Sequence, residues 1–221
     1  MIILHYTGMR SAEAALERLC DPASEVSAHY VVEQSGIVHQ LVPDDCRAWH
    51  AGRSYWGGER DINSASLGIE IVNKGHEFGY EDFPPAQIDA VKALCSHLMR
   101  EYAIRPDRVL GHSDVAPGRK IDPGERFPWP ILAQDGIGLW PVPQDVDYKA
   151  AADIAAGKGP AVHDLLIALG YDPEVAAVDL LDAFRRHYVP GKVPQGSGDT
   201  GADVETIAML LALQRNIQAG L

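Results

Sequence analysis

The sequence predicts an α/β or α+β domain followed by a small helical one. Short β-rich runs interleave with helical patterns through the first part of the chain, composition shifts around residues 140–158, and only helical patterns follow. Hydrophobic residues make up 46% and charged residues 23% of the 221 residues, so a core can be buried and global disorder is excluded.

Residues 2–4 read as a buried strand that ends at His5. AEAALERLC, residues 12–20, is helical: Ala15, Leu16, Leu19 and Cys20 share a face, and Ser11 stands as N-cap. AHYVVEQSGIVHQLV holds two β-rich runs around Gln34-Ser35-Gly36, a hairpin with glycine at its turn, and Pro43 ends the second run. Residues 44–66 carry three Gly and two Trp in one long connection. A loop of that length inside a compact domain is more often functional than idle.

LGIEIV, residues 67–72, is a strand in which Leu67, Ile69 and Ile71 alternate with Gly68, Glu70 and Val72. Glu70 therefore faces away from Leu67 and Ile71. Residues 85–102 give the clearest helix: Pro85 suits the first turn, and Ile88, Val91, Cys95, Leu98, Met99 and Tyr102 follow the 3.6 period. Residues 108–111 form a short strand that delivers His112 into the loop GHSDVAPGRKIDPG. WPVPQDVDY and AADIAAGKG read as a linker. Helical patterns follow at 160–169, 173–187 and 203–218, with a loop at 189–203 between the last two.

The net charge of −12 argues against non-specific nucleic-acid binding and against an anionic membrane surface. It leaves small molecules, glycans and peptides as partners. Cys20, Cys46 and Cys95 form no CxxC pair, so neither a disulfide framework nor a zinc finger is indicated, and buried free thiols are expected. No apolar run approaches the ~18 residues of a transmembrane helix. The start MIILHYTG lacks a basic n-region and a cleavage site, which predicts a cytoplasmic chain. A trimmed N-terminus would make it periplasmic or outer-membrane-associated.

His5 and His112 each stand at a strand end, and Asp122 follows His112 by ten residues, past Pro117-Gly118, which can fold the loop back. Two imidazoles and a carboxylate are a set that catalytic zinc commonly uses, with the fourth position left to water. Nine histidines allow many such triples. A strand-end His hydrogen-bonded in a core and an Asp serving a turn before Pro123 remain open readings.

ILHYTG, the HYVVEQSGIVHQLV hairpin, AWHAG, INSASLGIEIVN and GHSDVAPGRKIDPG occur in this order. Together they resemble the zinc-dependent N-acetylmuramoyl-L-alanine amidases of the AmpD/AmiD type, the amidase_2 family, relatives of phage T7 lysozyme and the peptidoglycan recognition proteins. The likeness covers about residues 1–132. It implies the α/β class: a mixed central β-sheet flanked by helices, with residues 1–142 as a zinc amidase domain and 143–221 as a small all-α three-helix domain. It implies one zinc ion held by His5, His112 and Asp122, Glu70 as general base, and Lys120 steadying the tetrahedral intermediate. In phage-type and recognition-protein relatives the third ligand is Cys, and a Tyr stands where this chain has Ala28. Asp122 and Ala28 place the chain on the AmpD/AmiD side and leave more of the proton transfer to Glu70.

The implied substrate is the amide between N-acetylmuramic acid, or its 1,6-anhydro form, and L-alanine in peptidoglycan or muropeptides. Trp49, His50, Asn63 and Arg119 lie in loops that could rim the cleft, Arg119 pairing a peptide carboxylate in bidentate fashion. Trp56 stacks on sugar or plugs a loop. His29 and His39 match no ligand position and suit hairpin packing or the surface; His76 and His97 suit the surface or a helix. AVHDLLIALGYD and ETIAMLLALQRNI weakly resemble the three-helix peptidoglycan-binding domain of AmiD-type amidases. The Gly-rich DGxFG-like turn of that module is replaced by GDTGADVETIAMLL, so wall binding and a helical cap stand side by side. The alternative to an enzyme is a non-catalytic peptidoglycan-binding module, which usually lacks a ligand; here His5, His112, Asp122, Glu70 and Lys120 are all present.

Overall fold

Ile2, Ile3 and Leu4 are all fully buried, so the first strand is covered on both faces. That is the pattern of a strand inside a parallel sheet. In a computed structural model that describes residues 1–193 and 201–220, this strand, β1 (Ile2–Tyr6), lies between two parallel partners. The others are β2 (Tyr30–Val32), β3 (Val38–Gln40), β4 (Leu67–Ile71) and β5 (Val109–Gly111). Their order is β3-β2-β4-β1-β5, parallel except for the β2–β3 hairpin, so the sheet is mixed, as expected.

Helices among the described residues are α1 (Ala12–Cys20), α2 (Ile62–Ala65), α3 (Gly75–Phe78), α4 (Pro85–Glu101), α5 (His112–Val115), α6 (Trp129–Ala133), α7 (Asp145–Ala155), α8 (Val162–Leu169), α9 (Ala177–Tyr188) and α10 (Val204–Gln218). Ser11 caps α1 by accepting the Ala14 N–H. Pro85 opens α4.

The period-2 alternation assigns each face of the sheet. Ile2, Leu4, Val32, Ile69 and Ile71 point to one side, against Ile88, Val91, Cys95 and Leu98 of α4. Each fully buried Val, Leu or Ile there contributes roughly 1.5–3 kcal/mol. Ile3 and Leu110 point to the other side and share one cluster with Trp56, Val115 and the α8, α9 and α10 residues Leu166, Leu180, Phe184, Leu210 and Leu213. The C-terminal helices are thus packed onto the second face of the sheet. His5 and Glu70 belong to that same face and are partners in register at the C-terminal ends of β1 and β4. Carboxyl ends of parallel strands are where α/β sheets hold ligands.

Three expectations need correction. The stretch expected as a linker contains α7, an Ala-rich helix with high intrinsic propensity. It joins the three expected helices and packs Ala151 against Ile207 and Ala208 of α10. The loop after Gly111 begins with a short helix, α5, because Asp114 reaches back to the Gly111 N–H at 2.7 Å. Cys20 and Cys46 are exposed, and only Cys95 is buried. The loop expected at 189–203 falls partly on residues 194–200, which lie outside the described residues, as does much of the GDTG stretch. No helix is long and apolar enough to cross a membrane among the described residues.

Candidate active site

Three side-chain atoms from distant parts of the chain meet at the C-terminal edge of the sheet. His5 Nδ1 lies 2.9 Å from His112 Nδ1 and 3.1 Å from Asp122 Oδ2; His112 Nδ1 lies 3.0 Å from the same oxygen. All three residues are buried. β1 delivers His5, and the end of β5 delivers His112. The Ser113 N–H, donating to the Asp122 carbonyl at 2.9 Å, folds the loop back so that Asp122 stands beside them.

The surrounding hydrogen bonds decide which nitrogens carry protons. His112 Nε2 is 3.0 Å from the Ala51 carbonyl, which can only accept, so Nε2 holds the proton and Nδ1 is a lone pair. The Ser66 hydroxyl donates to the Ile62 carbonyl at 2.5 Å, so its oxygen receives from His50 Nε2 at 3.4 Å. His50 Nδ1 then accepts from His5 Nε2 at 3.0 Å, which leaves His5 Nδ1 bare. Burial first, then the neighbouring His112, holds the His5 imidazole down to about 4. Burial works against ionisation of the Asp122 carboxyl; a proton on His112, and then one on His5, outweighs it and holds the carboxyl far below the usual range.

Two lone pairs and a carboxylate oxygen therefore face one another with no hydrogen between them. Buried donors of electron pairs in that arrangement repel unless a cation joins them. A tetrahedral ion with bonds of about 2.0–2.2 Å needs ligand atoms roughly 3.3–3.6 Å apart, a few tenths of an ångström beyond the separations here. Two neutral imidazoles and one carboxylate form a donor set that zinc accepts.

Behind His5 the support is layered. His29 receives the Gly68 N–H on Nδ1 at 2.9 Å and faces the Cys46 carbonyl through Nε2, and its ring meets the His50 ring edge-on. A Cβ on Gly68 would lie 2.4 Å from the His50 ring. Gly68→Ala is thus expected to displace His50, free the outer nitrogen of His5 and weaken metal binding about 10–100-fold, the usual effect of losing such a partner. Titration with a chromophoric zinc competitor measures this, and unchanged affinity would refute the support role of His50.

Glu70 sits beside His5 across the β1–β4 ladder. Its Oε2 is buried and has no hydrogen-bond partner. Burial first, then the Asp122 charge, pushes its carboxyl well up, against the pull of Lys120. Glu70 and the exposed Lys120 line one cleft of about 750 Å³ together with Trp49, His112 and Asp122.

Residues 1–125 match the Amidase_2 family, N-acetylmuramoyl-L-alanine amidase. The chain belongs to this family. AmiD of Escherichia coli is 34% identical over 235 residues, an alignment that takes in 96% of this chain and 81% of AmiD. The solved complex of E. coli AmiD with anhydro-N-acetylmuramic acid-L-Ala-D-γ-Glu-L-Lys superposes with a TM-score of 0.81 at 34% identity, covering 98% of this chain and 88% of that one. AmpDh3 of Pseudomonas aeruginosa, solved with an anhydromuramic pentapeptide, gives 0.83 at 33% identity over 98% of this chain and 91% of its own. The likeness to both runs through the C-terminal helices as well as the amidase domain.

Among the four residues expected to rim the amidase cleft, Trp49 is an open surface there, 51% exposed. The other three are engaged with the protein itself. His50 is the buried prop behind His5. Asn63 Oδ1 accepts the N–H groups of His50 and Ala51 at 3.0 and 2.8 Å and pins that turn. Arg119 donates to the carbonyls of Ala51 and Arg53, bracing the same loop from the other side. Trp56 is 7% exposed and stands edge-on to Tyr171, so it plugs the seam with the C-terminal helices. His39 pairs with Glu33 on the hairpin, and His97 is exposed on α4. His76, exposed on α3 as expected, also bridges Tyr6 in the cleft wall to Glu125, which Arg186 of α9 also holds.

Asp114 was not singled out from sequence. Fully buried within α5, it receives the Tyr171 hydroxyl at 2.9 Å and lies 2.7 Å from His187 Nδ1. The His187 ring is clamped between Trp129 and Tyr188, each 3.8 Å away. Two side chains from the C-terminal part thereby fasten the turn that carries His112.

Proposed function

We propose that this protein is a zinc-dependent amidase that hydrolyses the bond between N-acetylmuramic acid, or its 1,6-anhydro form, and L-alanine of peptidoglycan stem peptides, in wall recycling or remodelling. The observation that carries the reading is the convergence of two bare imidazole nitrogens and a carboxylate beside an unpartnered Glu70 oxygen. His5, His112 and Asp122 would hold the zinc. Bound there, zinc would polarise the scissile carbonyl and lower the pKa of water enough for attack at neutral pH.

Glu70 takes the proton of the attacking water and returns it to the departing alanine nitrogen. A carboxylate whose pKa is raised by burial suits both halves of that transfer. Lys120, on the same cleft, places its ammonium where negative charge develops on the carbonyl oxygen. Trp49 offers a flat apolar surface for the sugar or the first peptide unit. The C-terminal helices act as a cap that steadies the His112 turn through Tyr171 and His187. The stem peptide released would carry D-glutamate linked through its γ-carboxyl, as in the ligand of the AmiD complex, with its α-carboxylate free.

Digestion of defined anhydro and non-anhydro muropeptides, followed by mass spectrometry, tests the reading. Release of the intact stem peptide, suppressed by a chelator and restored by zinc, is expected. Tight binding without release would favour the non-catalytic module; cleavage within the peptide would refute the assigned bond.

A further inference from the structure

The chain carries a net charge of −12, and most of its cations outside the cleft are paired: Arg47 with Asp61, Arg60 with Glu174, Arg126 with Asp82, Arg186 with Asp182. The cleft is different. Arg10 and Arg18 line it from the two ends of α1, and among the described residues neither forms an ion pair. Two arginines without an ion pair thus stand on one opening of an acidic protein.

Both arginines are set by the fold. Arg10 immediately precedes the cap Ser11, and its guanidinium lies over the Phe78 ring at 4.7 Å, which holds it flat at the lip. Arg18 stands in the last turn of α1, whose inner face is anchored by the fully buried Ala15. A planar guanidinium with its fork free matches a carboxylate in two-point fashion, and stacking on an aromatic ring lowers the entropy lost on pairing. Glu77 also lines the cleft, and among the described residues it forms no ion pair with either arginine.

We infer that Arg10 and Arg18 form a carboxylate subsite that reads the stem peptide, selecting stems whose second residue keeps a free α-carboxylate. The inference rests on the amidase reading. A γ-linked glutamate places that carboxylate within roughly 7 Å of the scissile nitrogen, at about 3.5 Å per residue of extended chain, and both arginines line the same cleft as His112 and Asp122, so a peptide extended along the α1 wall runs toward these side chains. Arg119, braced on backbone carbonyls, is not part of this subsite.

The test compares two synthetic anhydromuropeptides, one with γ-D-glutamate and one with its α-amide, D-isoglutamine. Wild-type protein should favour the acid in kcat/KM by roughly 5–20-fold, the range expected for one or two charge-assisted contacts at a wet site. The preference should shrink as salt is raised. Arg10→Met and Arg18→Met should each bring the acid-to-amide ratio toward one, while Arg100→Met, on the exposed side of α4, keeps the wild-type ratio. Equal cleavage of acid and amide by wild type would overturn the subsite and leave the amidase reading standing, as would arginine variants that keep the preference. Cleavage of neither peptide would overturn both.

Discussion

Replacing Glu70 by Gln is expected to lower turnover roughly 10²–10⁴-fold, the range associated with removing a positioned general base, while metal binding stays at the wild-type level. The reason lies in what Glu70 does not touch. Its Oε2 is buried without a partner, while His5, His112 and Asp122 are the group that could hold a metal ion. A buried carboxylate oxygen with nothing to hold is costly to keep, by about 1–3 kcal/mol, so the fold gives up stability for it. Glu70→Gln removes the proton acceptor at almost constant shape. It also removes the like-charge repulsion from Asp122 that helps push the Glu70 carboxyl up, so the variant should melt no lower than wild type. Loss of turnover with full metal content and an unchanged or raised Tm is the signature of a base. A variant that turned over at the wild-type rate would show that proton transfer runs elsewhere, and one that lost its metal would make Glu70 a supporting residue of the metal set.

The residues proposed to carry this chemistry could be placed from sequence because their positions are set locally. Alternation in LGIEIV places Glu70 opposite Ile71 whatever the rest of the chain does, and both His5 and His112 stand where apolar runs stop. The roles of His50, Asn63 and Arg119 were not legible. Each is a polar residue in a loop, and only tertiary packing decides whether its polar atoms face a ligand or a backbone carbonyl. Gly68 held a clue: a glycine inside a strand signals close approach of another group, here the His50 ring. The Asp114 clamp had no sequence signal, since Tyr171 and His187 lie more than fifty residues away and meet it only because α8 and α9 pack beneath α5. The Ala-rich linker expectation failed for a different reason. Alanine and glycine look alike in composition counts yet differ by about 1 kcal/mol per residue in helix propensity, and the alanines of α7 meet the small-residue face of α10.

His112→Ala is expected to abolish both zinc binding and amide cleavage, and the argument is electrostatic as much as one of ligand number. In the wild-type set, two lone pairs and one anionic oxygen are held about 3 Å apart by props that cannot relax: the Ala51 carbonyl on His112, His50 on His5, and the Ser113 N–H on the Asp122 loop. With both rings neutral, such a set repels in the metal-free fold until a proton or a metal ion joins it, and a cation that enters relieves that repulsion. Removing His112 leaves two donors and opens space at a position that is otherwise buried. Zinc at 100 times its Kd stabilises a folded protein by about 2.7 kcal/mol, which for a chain of this size is a rise of roughly 5–10 °C in Tm. Wild type should show that rise and His112→Ala should not. Because the alanine variant also leaves a cavity, Asp122→Asn serves as the second arm: it preserves volume and removes only the charge. If repulsion among the donors is what primes the site, Asp122→Asn without zinc melts no lower than metal-free wild type, yet its zinc-induced rise is largely lost. A zinc-induced rise in His112→Ala equal to that of wild type would place the ion away from these three residues and end the assignment.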